Sequence, residues 1–130
     1  IVGAYTTLLR GTPMIIQIFF VIYALPAINI DISRFWGVVW AIGLNSSAYI
    51  CHIIASGIRA VPYGQKEAAR VLGFSNMQTM YYIVLPQAIR VVLPALASEF
   101  ITLLKDTSLA YFVGVVELTG QGAFIASRTY

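Results

Sequence analysis

Phe35-Trp-Gly-Val-Val-Trp-Ala-Ile-Gly-Leu-Asn-Ser-Ser-Ala-Tyr-Ile-Cys-His-Ile-Ile-Ala-Ser-Gly-Ile58 carries no charged side chain apart from neutral His52. A helix needs about 20 apolar residues to cross the hydrocarbon core of a bilayer, so this stretch is long enough to span. Residues 11–30 form a second run without a formal charge. A third apolar stretch, Tyr82 to Leu104, is interrupted by Arg90 and Glu99. A fourth, Leu109 to Ala126, is glycine-rich, contains Glu117 and is not expected to span.

The whole chain fits that reading. Of 130 residues, 59% are hydrophobic and 10% are charged, whereas soluble domains carry roughly 25% charged residues. A chain this short buries too little of its own surface to hide so much apolar area, so lipid is expected to cover the excess. The fold class is therefore all-α: a polytopic membrane protein with about three spanning helices, 1–130 forming a single transmembrane domain. The chain opens on Ile1, inside what reads as an apolar segment, and is taken as a fragment with helices missing at one or both ends. The net charge of +3 is small and the Lys and Arg residues are scattered, which argues against nucleic-acid binding. Cys51 lies inside a predicted span, where a packing role is expected. The lone His52 offers no metal-ligand spacing.

Positive residues set the orientation. Arg59, Lys66 and Arg70 cluster after the long span, with Arg90 beyond them, whereas the 29–34 turn holds only Arg34, balanced by Asp31. The positive-inside rule places residues 59–80 in the cytoplasm, with 62–80 as the cytoplasmic loop proper.

That loop is the most informative piece. Gln65 to Leu72 consists mostly of good helix formers, and Gly73 follows where a left-handed residue commonly ends a helix. Ser75-Asn-Met-Gln78 reads as a capping box that starts a second helix. The local expectation is helix, glycine bend, helix. Ala68 and Ala69 would let another protein approach closely, and Glu67 and Arg70 offer polar contacts. The same pattern also suits a loop helix lying on its own chain.

Here the sequence resembles a family. Glu67-Ala-Ala69, Gly73, Ile83, Leu85 and Pro86 match the EAA-x3-G-x9-I-x-L-P signature of binding-protein-dependent ABC importer permeases at every defined position. Arg10-Gly-Thr-Pro13 with the residues that follow, Asn45-Ser-Ser-Ala-Tyr49, Pro62-x-Gly-Gln65, Glu99 to Leu109 and Glu117-Leu-Thr are similar to the polar amino acid permeases among them. The resemblance implies that Glu67, Ala68, Ala69 and Gly73 contact an ABC ATPase, whose closure on ATP tilts the permease between inward and outward states. It also implies a second permease subunit, identical or not, an extracytoplasmic solute-binding protein, and a multi-pass place among the lipids of a bacterial cytoplasmic membrane. No cofactor and no enzymatic centre are expected in this chain; a phosphate-binding G-x4-GK[ST] loop is missing, so the energy must come from another chain, and ATP–Mg belongs to the ATPase. One departure stands out: after Tyr49 the amino acid permeases usually carry a Glu and then an Arg, where this sequence has His52 and Ala55. Another small-solute class is the alternative cargo. Glu99, Asp106 and His52 are the only acid–base candidates for an intramembrane enzyme, and no catalytic motif accompanies them.

Two stripes are candidates for a cargo path. Glu99, Thr102 and Asp106 share one helical face by i, i+3 and i+7 spacing, and a carboxylate inside a span should be paired or face a wet cavity. Such a stripe suits the ammonium or guanidinium of an amino acid; alternatively, both acids satisfy helix ends or neighbouring helices. Asn45, Tyr49, His52 and Ser56 lie three or four residues apart on the second span. They either bond neighbouring helices or line the path.

Overall fold

A computed structural model describes residues 2–129. Helix α1, Val2–Gly11, is followed after a sharp break by α2, Met14–Phe19, which runs on through a π turn, Phe20–Ala24, and a 3-10 turn, Pro26–Ile28. Helix α3 spans Arg34–Ala60, α4 spans Tyr63–Val71 and α5 spans Asn76–Thr79. A second π turn, Met80–Val84, leads into α6, Leu85–Asp106; a 3-10 turn, Thr107–Val113, and α7, Leu118–Thr129, complete the order.

Among the described residues, two helices are long and apolar enough to cross a membrane: α3 and the continuous helix Asn76–Val113. A third candidate is the pair Gly3–Gly11 and Met14–Ile28, bent by 100° at its break. The all-α, membrane-spanning expectation of about three spans is met. Helix α7, as far as the described residues follow it, has 12 residues, about 18 Å at 1.5 Å per residue. It begins where the Glu117 carboxylate accepts the amide of Gly120 at 2.6 Å, satisfying a donor that the first turn leaves open.

The expected start of the third span near Tyr82 needs correction, because the helix begins at Asn76 and passes Pro86 unbroken. The π turn explains how. A proline inside an α-helix removes one hydrogen bond and crowds the carbonyl four residues back, which for Pro86 is that of Tyr82. Widening the turn at Met80–Val84, with the Leu85 amide donating to the Met80 carbonyl, gives that carbonyl room. The same device precedes Leu25-Pro26, where the Leu25 amide donates to the Phe20 carbonyl at 3.3 Å.

The chain packs as two compact units: the residues before Tyr49 together with those from Phe100 on, and Tyr49–Glu99. In the first unit Ile18, Ile22, Val38, Ala41, Ile42, Ala110 and Val113 form the core. Its polar seam lies at the α1–α2 break. Gln17 Nε2 donates to the carbonyls of Leu9 at 2.8 Å and Thr12 at 3.1 Å, groups left open by the helix end. In the second unit Val61, Val84 and Ala88 form the core, with Ile58 and Met80 packed against it.

Candidate functional site

The loop between α3 and Asn76–Val113 folds as its residues dictate. Pro62 is the N-cap of α4, and its fixed φ suits a helix entry. The helix ends in a Schellman arrangement: the Phe74 amide donates to the Ala69 carbonyl and the Gly73 amide to the Arg70 carbonyl, both at 3.0 Å. Gly73 sits at φ 83°, a left-handed conformation that glycine adopts without steric cost. Two residues later Ser75 opens α5 with both halves of a capping box. The Ser75 amide donates to Gln78 Oε1 at 2.9 Å, and the Gln78 amide donates to Ser75 Oγ at 3.3 Å. Helix α4 packs on the π turn that follows α5.

Removing the Ser75 hydroxyl should cost about 1 kcal/mol of local stability. Ser75→Ala is expected to speed amide hydrogen exchange at residues 76–79 with little change in the melting of the spans. Unchanged exchange there would mean that the cap does not hold the loop.

Glu67, Ala68 and Gly73 are exposed. Ala69, placed beside them by the family resemblance, is 1% exposed, so its methyl packs within the chain. One side of the loop helix thus lies on its own protein and the other is open. The sequence reading missed the most open apolar side chains here, Val71 at 88%, Leu72 at 75% and Met77 at 78% exposed. The available signal was their position just before Gly73, for Val71 and Leu72, and just after the Ser75 cap, for Met77.

The path candidates divide. On α3, Asn45 is buried. Its Nδ2 donates to the Leu9 carbonyl at 3.1 Å and to Gln17 Oε1 at 3.2 Å, so it ties α3 to the α1–α2 break. Tyr49 is half-buried, whereas His52 and Ser56 are exposed. Glu99, Thr102 and Asp106 all lie on α6, with Glu99 and Asp106 half-buried and Thr102 exposed.

Comparison with known proteins fits the loop geometry. Residues 1–129 match the model of the binding-protein-dependent transport system inner membrane component family. The chain is 40% identical over 126 residues to the L-cystine transport system permease protein TcyB of Bacillus subtilis (strain 168), covering 97% of this chain and 54% of that protein. It is 39% identical over 128 residues to the glutamine transport system permease protein GlnP of Escherichia coli (strain K12), covering 97% of this chain and 58% of that protein. It also superposes on the crystal structure of an amino acid ABC transporter with histidines at a TM-score of 0.89 and 41% identity, over 98% of this chain and 60% of that one. The chain thus spans little more than half the length of the curated relatives it matches. With the signature of residues 67–86 folded as helix, left-handed glycine and capped helix, and the match running over 1–129, the chain belongs to the family of binding-protein-dependent transport system inner membrane components.

Proposed function

We propose that the chain is the membrane-spanning core of an ATP-driven importer of a polar amino acid. The observation that carries the reading is the loop: a left-handed glycine bend between two short helices, with Glu67, Ala68, Val71 and Leu72 open. In this reading a separate ABC ATPase hydrolyses ATP–Mg and seats on that face, and this chain needs no cofactor of its own. Closure of the ATPases pushes on α4, and the helix Asn76–Val113 carries the movement into the membrane. A second permease subunit and an external solute-binding protein complete the machine. The cargo class is supported by relatives named for cystine, arginine and glutamine transport. Glu99, with Thr102 and Asp106 on the same helical face, gives an ammonium or guanidinium a carboxylate to meet; Tyr49 and His52 are the candidates on α3. His52 and Ala55, where an acid and an Arg are usual, favour a second reading in which another small solute is carried.

The test is ATP-dependent uptake by the full complex in liposomes, across a panel of labelled amino acids. A charge-assisted hydrogen bond is worth about 1.5–3 kcal/mol, so Glu99→Gln is expected to cut uptake of one polar amino acid about tenfold or more. ATPase stimulation by the loaded binding protein should survive the substitution. Uptake that the variant leaves untouched would return Glu99 to a structural role. If no amino acid enters while the ATPase is stimulated, the cargo class is wrong and the coupling loop stands.

A further inference from the structure

We propose that a groove at the loop end of the second unit seats the phosphate headgroup of an anionic phospholipid. The groove encloses about 280 Å³ and is lined by Ala60, Val61, Pro62, Gln87, Arg90 and Val91. Ala60 is the last residue of α3 and Pro62 caps α4, so the groove lies where the chain leaves a span for the loop. Arg90 sits on the helix Asn76–Val113, long and apolar enough to cross a membrane. It is exposed, and among the described residues its guanidinium meets no acid. The acids of its own unit are Glu67 on α4 and Glu99, which is nine residues and about 13 Å further along the helix.

A guanidinium on a membrane helix needs a counter-charge or water. A phosphate suits it, because the planar fork of Arg donates two parallel hydrogen bonds to such an anion. Arg59, next to the groove wall at Ala60, adds a second cation at the same end; its Nε donates to the Ala55 carbonyl at 3.1 Å. Two further features select a lipid over a soluble anion. Val61, Val91 and Ala60 give the groove apolar walls that match a glycerol backbone and the head of an acyl chain. Tyr63, Tyr81 and Tyr82 of the same unit are each more than 60% exposed, the pattern of an aromatic belt at headgroup depth. The proposal depends on α3 and Asn76–Val113 crossing the membrane and is independent of the cargo.

The test is native mass spectrometry of the full complex, delipidated and then titrated with phosphatidylglycerol or phosphatidylcholine. One basic residue near an anionic surface contributes enough for about a fivefold preference. The wild type is expected to retain phosphatidylglycerol about fivefold better than phosphatidylcholine, and this comparison needs no variant. Arg90→Gln should lose most of that preference, Arg90→Lys should keep part of it, and Lys105→Gln should leave it intact. An excess of inorganic phosphate should not displace the lipid. Equal retention of the two lipids by the wild type, undiminished preference in Arg90→Gln, or displacement by inorganic phosphate would each overturn the proposal. So would dissociation of the subunits in Arg90→Gln, since Arg90 would then be pairing with another chain.

Discussion

Gly73→Val is expected to reduce ATP-dependent uptake about tenfold or more while the spans stay assembled. The left-handed backbone at φ 83° costs an L-residue roughly 1–2 kcal/mol, and a β-branched side chain fits it worst. Both Schellman hydrogen bonds, to Ala69 and Arg70, depend on that conformation. The loop is exposed around Gly73, so it has few buried contacts with which to hold a strained residue and is expected to relax instead. Relaxation turns α4 relative to α5 and spoils the open face that the proposed ATPase contact requires. Gly73→Asn is the discriminating control, because Asn enters the left-handed region routinely. Uptake and ATPase stimulation should fall together in Gly73→Val and largely survive in Gly73→Asn, with equal melting temperatures in detergent. Full uptake by Gly73→Val would show that the bend is not needed for coupling.

Gly57→Leu should have the largest effect on stability. A Cβ at residue 57 would overlap Val92 Cγ2 and stand 3.3 Å from the Ala88 carbonyl oxygen. Val92 has little freedom to turn away, since β-branched side chains on helices are held to one rotamer. Helices in membranes commonly meet through small residues that let backbones approach, and Gly57 supplies such a contact between α3 and α6. Overpacking of this kind costs about 1–3 kcal/mol, with Gly57→Ala at the lower end. Melting temperatures should fall in that order. Val92→Ala, harmful in its own right, should recover part of the loss when combined with Gly57→Ala. If the two changes merely add, within about 0.5 kcal/mol, the contact is not the source of the loss.

Much of the architecture was legible because single residues carry it. Uncharged runs located α3 to within a residue or two of its ends, and Gly73 and the Ser75–Gln78 pair announced the loop. The rest depends on distant partners. Asn45 reads as part of a polar stripe with Tyr49, His52 and Ser56, and nothing local discloses that it bonds the Leu9 carbonyl, 36 residues away. Ala68 and Ala69 are alike in sequence, yet only one packs inward, because the side of α4 that is covered is chosen by the π turn it rests on. Pro86 removes a helix hydrogen bond; the wider turn that absorbs it leaves no mark of its own in the sequence.

The seam around Gln17 also bears on the order in which the chain enters the bilayer. Open carbonyls in hydrocarbon cost several kcal/mol each, and the α1–α2 break exposes those of Leu9 and Thr12. Their donor, Gln17, lies eight and five residues away, so it leaves the ribosome almost together with them. The broken segment can therefore be handed to lipid with these two carbonyls already matched. Asn45 joins only once α3 has been synthesised, as a latch that closes on a segment already in place.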